Sequence, residues 1–240
     1  MKTGHVSMTL KVLYAITALV VIAGAVLALS TPPEAVQRTY ARILHIHVPS
    51  AWLAFLAFGV TAFGSVMWRL RRRLAWDRLA ASSAEIGVLF TGLAIVTGAI
   101  WGRPVWGVFF DWGDARMAST AVMFLVYLGY LALRRYSPSP EAAANRASIL
   151  GIVAVIQVPL VYFSVNLFRT LHQTQSIRPD GATMDRSMVA ALLVNLAAFT
   201  LLYVSFLAAR MIVAREEARL VAARPVAGAA VISPPGLSDA

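Results

Sequence analysis

The stretch VPSAWLAFLAFGVTAFGSVMWRLRRR, residues 48–73, decides the fold. From Val48 to Trp68 it carries no charged side chain, and it ends in Arg69, Arg71, Arg72 and Arg73. A hydrocarbon core about 30 Å thick is crossed by roughly 20 apolar residues in a helix. Only a helix satisfies each backbone polar group within such a segment. The arginines that close the run mark a cytoplasmic end.

Working outward, five more runs follow the same rule, at about 12–29, 84–100, 117–133, 147–168 and 188–209, and Glu85 is the only charged residue inside any of the six. The alternation of a membrane β-barrel is missing. The first run holds 18 apolar residues, longer than the roughly 7–15 of a signal-peptide core, and reads as a retained anchor. The expected fold is therefore an all-α integral membrane protein with six transmembrane helices. Residues 1–210 form a single domain, and residues 211–240 form a cytoplasmic, largely disordered tail rich in Ala, Pro and Gly.

Composition agrees. The chain has 240 residues, 59% hydrophobic and 13% charged, against about 45–50% and 25% in a soluble domain. Cysteine is absent, which excludes disulfides, thiolate catalysis, zinc–thiolate sites and iron–sulfur clusters. The net charge of +10 comes from residues flanking apolar runs and not from a folded basic patch, so it does not indicate a nucleic-acid partner. With the N-terminus inside, the cytoplasmic segments hold Lys2, Lys11, Arg69, Arg71, Arg72, Arg73, Arg78, Arg134, Arg135, Arg146, Arg210, Arg215, Arg219 and Arg224. That is most of the 21 basic residues. Both termini are thus predicted to be cytoplasmic.

The outer segments, about 30–47, 101–116 and 169–187, then hold the chemistry. The first ends His45-Ile46-His47-Val48-Pro49, and proline suits a helix's first turn. His47 lies at the mouth of the second span; it is read either as an interfacial histidine bonded to backbone or as a ligand. His45, two residues away, points to another face and reads as a bystander. His172 lies at the outer end of the fifth span, which Pro159 is expected to kink. Two neutral imidazoles at one depth suit haem iron. Zinc or copper suits the histidines alone, but those metals usually want three or four protein ligands. The second outer segment packs Trp101, Trp106, Phe109, Phe110 and Trp112, five rings in twelve residues, among Gly102, Gly107 and Gly113. An interfacial aromatic belt explains one or two of these rings; a stacking platform explains the cluster. Arg103 and Arg116 are suited to haem propionates, or to local pairs with Asp111 or Asp114.

The segment Trp101 to Arg116 resembles the tryptophan-rich WWD motif of the haem-handling proteins of cytochrome c maturation. Together with Ile46-His47-Val48-Pro49-Ser50-Ala51-Trp52, with Val158-Pro159-Leu160-Val161-Tyr162-Phe163-Ser164-Val165 and with Thr170-Leu171-His172-Gln173, it is similar to the haem exporter protein C (CcmC) family over about residues 40–210. The resemblance implies a bacterial inner-membrane protein that holds haem b at its periplasmic face and delivers it to a membrane-anchored chaperone of the CcmE type. Single-span CcmD and the ABC-type pair CcmA and CcmB are implied as partners. His47 and His172 are implied as axial ligands, and Trp106, Gly107, Trp112, Asp114 and Arg116 as the motif core. The family's paired tryptophans are here Phe109 and Phe110, which stack but lack the indole donor. Gly113 shifts Asp114 and Arg116 by one position, leaving Asp111 and Asp114 both as holders of the motif's carboxylate.

This is the reading of a cofactor handler, not of an enzyme, since no nucleophile or acid–base pair calls for catalysis. A permease or channel subunit of an ABC-type transporter is the alternative, against which stands the lack of buried charge in the spans. An electron-carrying subunit with paired transmembrane haems needs four histidines at two depths, and the four present are not so placed.

Overall fold

The computed structural model describes residues 7–179 and 181–223. Among these, six helical segments are long and apolar enough to cross a membrane. The helices are α1 (Met8–Ser30), α2 (Leu44–Arg71), α3 (Leu74–Trp106), α4 (Ala115–Arg135), α5 (Pro140–Ala154), α6 (Gln157–Leu167) and α7 (Arg186–Ala222). Helices α5 and α6 together make the fifth span. A two-stranded hairpin, β1 (Ile177–Arg178) with β2 (Gly181–Ala182), precedes α7; its antiparallel register pairs Ile177 with Ala182.

Helices α2 and α3 form the centre of the bundle. They are joined by a tight turn in which Arg72 takes a left-handed conformation (φ 52°) and its N–H closes on the Trp68 carbonyl at 2.9 Å. A β-carbon is unfavourable there. The Arg72 guanidinium donates to Asn145 Oδ1 at 2.6 Å, which ties the turn to α5. Small residues let the helices approach, as expected where lipid supplies no hydrophobic drive between them. Ala54, Ala84, Ala147 and Ala154 surround the stacked rings of Phe58 and Tyr127, whose centroids are 3.5 Å apart. Helix α1 packs on α7 through a Thr17–Ser205 hydroxyl pair (2.8 Å) and through Asn195, whose amide donates to the Gly24 carbonyl at 2.9 Å. Ile16, Leu19, Ile22 and Val26 on the other side of α1 stay exposed, a face suited to lipid.

Several helix boundaries differ from the sequence reading. Helix α2 starts a turn before Val48, because a 3-10 turn at Thr39–Ile43 feeds directly into it. Pro49 therefore lies inside the helix and not in its first turn, and offers no N–H to the His45 carbonyl four residues earlier. Helix α3 extends well beyond 84–100, so Trp101 to Trp106 is helical and only the remainder of that outer segment is loop. Helix α7 continues to Ala222, into the segment expected to be a disordered tail. Lys2, His5 and Arg224 lie outside the described residues.

The expected kink in the fifth span is present, with a specific cause. Pro159 has no N–H for the Val155 carbonyl, and that carbonyl instead accepts from Val158 at 3.0 Å. The resulting 3-10 step separates α5 from α6. At the end of the bundle where α3 begins, Arg134 chelates Asp77 (2.6 and 2.7 Å) and Arg210 bonds Glu85 (2.5 Å). Asp77 is buried, so the bundle does enclose charge, here paired with Arg134. The opposite end, where α2, α4 and α7 begin, carries the site.

A two-histidine cavity beneath the aromatic loop

Gly107 ends α3 in a left-handed conformation (φ 79°) that glycine adopts without strain. The chain then loops over the end of the bundle and enters α4 at Asp114. Under this loop lies a small cavity that opens to the surface. His47, Trp106, Phe109, Phe110, Arg116 and His172 line it. The rest of its wall is largely apolar, with Phe55, Ile95, Met117, Met123 and Val161 beside Thr91 and Thr120.

His47 enters from α2. Its Nδ1 is 2.9 Å from the Ala94 carbonyl and 3.3 Å from Thr97 Oγ1. A carbonyl only accepts, so Nδ1 carries the proton and Nε2 is left with a free lone pair. The ring lies against Gly98, where an added Cβ would be 2.8 Å from His47 Cε1. His172 arrives on the loop after α6, with its ring edge-on to Trp106 at 4.8 Å between centroids. Its Nδ1 is buried without a hydrogen bond, and Asp114 Oδ1 is 3.6 Å away. Burial pushes the His172 pKa down to about 4; Asp114 opposes that shift, while Arg116 and His47 add to it. Both imidazoles therefore offer neutral nitrogen donors to one space.

Asp114 is 3% exposed. Its carboxylate accepts from Met117 N–H at 2.9 Å, capping α4, and from Leu171 N–H at 2.6 Å, holding the residue before His172. Asp111, by contrast, is exposed, and its carboxylate accepts from Gly113 N–H at 2.8 Å within its own turn. Arg116 points across the cavity to the Tyr162 carbonyl (2.7 Å) and Ser164 Oγ (3.4 Å) on α6.

The other expected site residues are placed around this centre and not in it. Trp101 packs edge-on against Trp106 at 4.7 Å and donates to Gln37 Oε1, outside the cavity. Arg103 bonds the Gly107 carbonyl and covers the Phe109 ring at 5.6 Å. Trp112 is 69% exposed and touches Phe110 at the rim. His45 is fully buried, with Nδ1 turned to the Arg42 carbonyl (3.2 Å) and Nε2 to the Met188 carbonyl (3.3 Å), so neither nitrogen is free for the cavity. Ala94, Gly98 and Thr97, which seat His47, were not singled out by sequence; a small residue in an apolar span reads simply as helix packing.

A bundle of six membrane-length helices, with two imidazoles lining an aromatic-roofed cavity at one end, defines a multi-pass membrane protein. The chain belongs to the CcmC family, whose model, described as Heme exporter protein C, matches residues 3–224. It is 41% identical to the Heme exporter protein C of Bradyrhizobium diazoefficiens over 181 residues, 75% of this chain and 68% of that protein. It is 32% identical to the Paracoccus denitrificans protein of the same name, covering 84% of each. A ccmC-like mitochondrial protein of cytochrome c biosynthesis from Marchantia polymorpha is 36% identical over 70% of this chain and 71% of its own length.

Proposed function

We propose that this protein binds haem b between His47 and His172 at the periplasmic face of the bacterial inner membrane and hands it to a CcmE-type chaperone during cytochrome c maturation. The observation that carries this reading is the pair of imidazoles on one cavity, with His47 Nδ1 tied to a carbonyl so that Nε2 is the ligating atom. An open two-nitrogen set fits a macrocycle that supplies the remaining equatorial ligands. Trp106, Phe109 and Phe110 offer stacking faces to a flat ring, and Arg116 offers a guanidinium to a propionate at the same cavity. Trp101, Arg103, Gly107 and Trp112 shape the loop that roofs it.

Haem is cargo here, and the protein acts as a handler and not as an enzyme in its own right. CcmD, CcmA and CcmB types are the proposed companions, and membrane lipid is the surrounding solvent. The family's name and the names of its relatives support this assignment. In the purified protein a Soret band with low-spin, bis-imidazole character is expected. His47→Ala and His172→Ala should each lower haem content and convert the remainder to high spin. A double variant that keeps full haem and an unchanged spectrum would overturn the reading.

A further inference from the structure

A buried carboxylate without a cation demands an explanation, because an isolated charge in a dry site is strongly disfavoured. Asp114 is such a group. Among the described residues no lysine or arginine forms an ion pair with it, although Arg116 is two positions away and turns instead toward Tyr162 and Ser164. Two backbone N–H groups and the start of α4 compensate part of its charge. Arg116 interacts with its charge without forming an ion pair, and His172 Nδ1, itself buried and without a hydrogen bond, is 3.6 Å from its Oδ1.

The geometry points to Asp114 as a positioning residue that completes a carboxylate–imidazole pair with His172, directing that ring's other nitrogen into the cavity. We infer that it does not touch the cargo: it is absent from the cavity lining and acts through His172. This rests on the haem reading above. Metal-ligating histidines usually donate their second N–H to a carboxylate or a carbonyl, which fixes the tautomer and raises ligand basicity. His47 has the carbonyl form of this arrangement, from Ala94. His172 has the carboxylate form, open by about one hydrogen-bond step at 3.6 Å; a small turn of the ring toward Asp114 closes it. The same carboxylate grips Leu171 N–H, so the ligand and the backbone that carries it are oriented from one point. The two sides of the site are therefore unequal. One ligand is seated on a helix and supported by a neutral dipole, and the other is seated on a loop and supported by a charge.

Asp114→Asn tests this, because asparagine keeps the shape of the side chain but lacks the charge; its one carbonyl oxygen can still cap α4, while its amide nitrogen cannot accept from Leu171. The variant is expected to lose some thermal stability with the Leu171 bond and to keep its low-spin spectrum. Its preference for ferric over ferrous haem should fall about tenfold, a midpoint potential about 59 mV higher. Asp111→Asn should leave the potential unchanged. An unaltered potential and ferric EPR signal in Asp114→Asn would overturn the proposal, as would a shift seen only in Asp111→Asn. If Asp114→Asn does not accumulate, Asp114→Ser retains a capping oxygen and is read the same way. Failure of the wild-type protein to bind haem would instead sink the functional reading itself.

Discussion

Gly98 and Gly92 lie on the same helix, yet their hydrogens face different surroundings. A Cβ at Gly98 would press on the His47 ring at 2.8 Å, while one at Gly92 would meet Phe124 at 3.6 Å, an ordinary contact. Gly98→Ala should therefore displace the ring, break its bond to Ala94 and weaken haem affinity by about tenfold or more, whereas Gly92→Ala should not; haem titration of the two proteins compares them. His172 gives a pH signature. Its pKa is about 4 in the folded protein against an ordinary 6.5, so below 6.5 the unfolded chain takes up a proton that the folded one refuses. Stability of the haem-free protein should be flat above that value and fall as pH drops from 6.5 toward 4. Thermal unfolding of His172→Gln, which cannot titrate, should lack that slope. Position at the outer ends of spans drew attention to both histidines in the sequence, and the family resemblance paired them. Their supports were not, because the Ala94 carbonyl carries no side-chain signal and Asp114 differs from Asp111 only in burial.

The helix ends show the same division. Apolar length located every span, since it reports the thickness of the solvent that each helix crosses. Boundaries shifted wherever a helix continues beyond the hydrocarbon, as α3 does through Trp106 and α7 through Ala222. Pro49 misled the reading of the start of α2: proline favours a first turn but is tolerated deeper in a membrane helix when its freed carbonyl finds other partners. Pro159 was read correctly as a kink, and its consequence is functional. The step it produces places Val161 in the cavity wall and the Tyr162 carbonyl against Arg116. Pro159→Ala restores the missing donor. We expect haem occupancy to fall while thermal stability stays level or rises; equal occupancy in both proteins would detach the kink from the site. At the other end of the bundle Asp77→Asn leaves the Arg134 guanidinium, 17% exposed, without its countercharge. Removing one partner of a buried pair costs about 3–5 kcal/mol, measurable as a lower midpoint of unfolding in detergent.

For the molecule as a whole, orientation in the membrane is open to direct measurement because the chain has no cysteine of its own. Single cysteines at Thr174 and Ser137 sit at opposite ends of the bundle. An impermeant maleimide applied to cells with a permeable outer membrane should label Thr174→Cys at once, and Ser137→Cys only after the inner membrane is opened. The reverse pattern would place the site on the cytoplasmic side. One dimension of the fold has a separate consequence. Helix α7 has 37 residues, a length of about 55 Å beside a hydrocarbon core of about 30 Å. Arg210 fastens it to Glu85, and beyond that clasp nearly every side chain to Ala222 is exposed. Its last three turns thus have backbone hydrogen bonds but almost no tertiary packing to support them. In amide exchange they should open independently, far sooner than the rest of the same helix. One unbroken helix would then contain two regions of very different lifetime, with the boundary at a single ion pair.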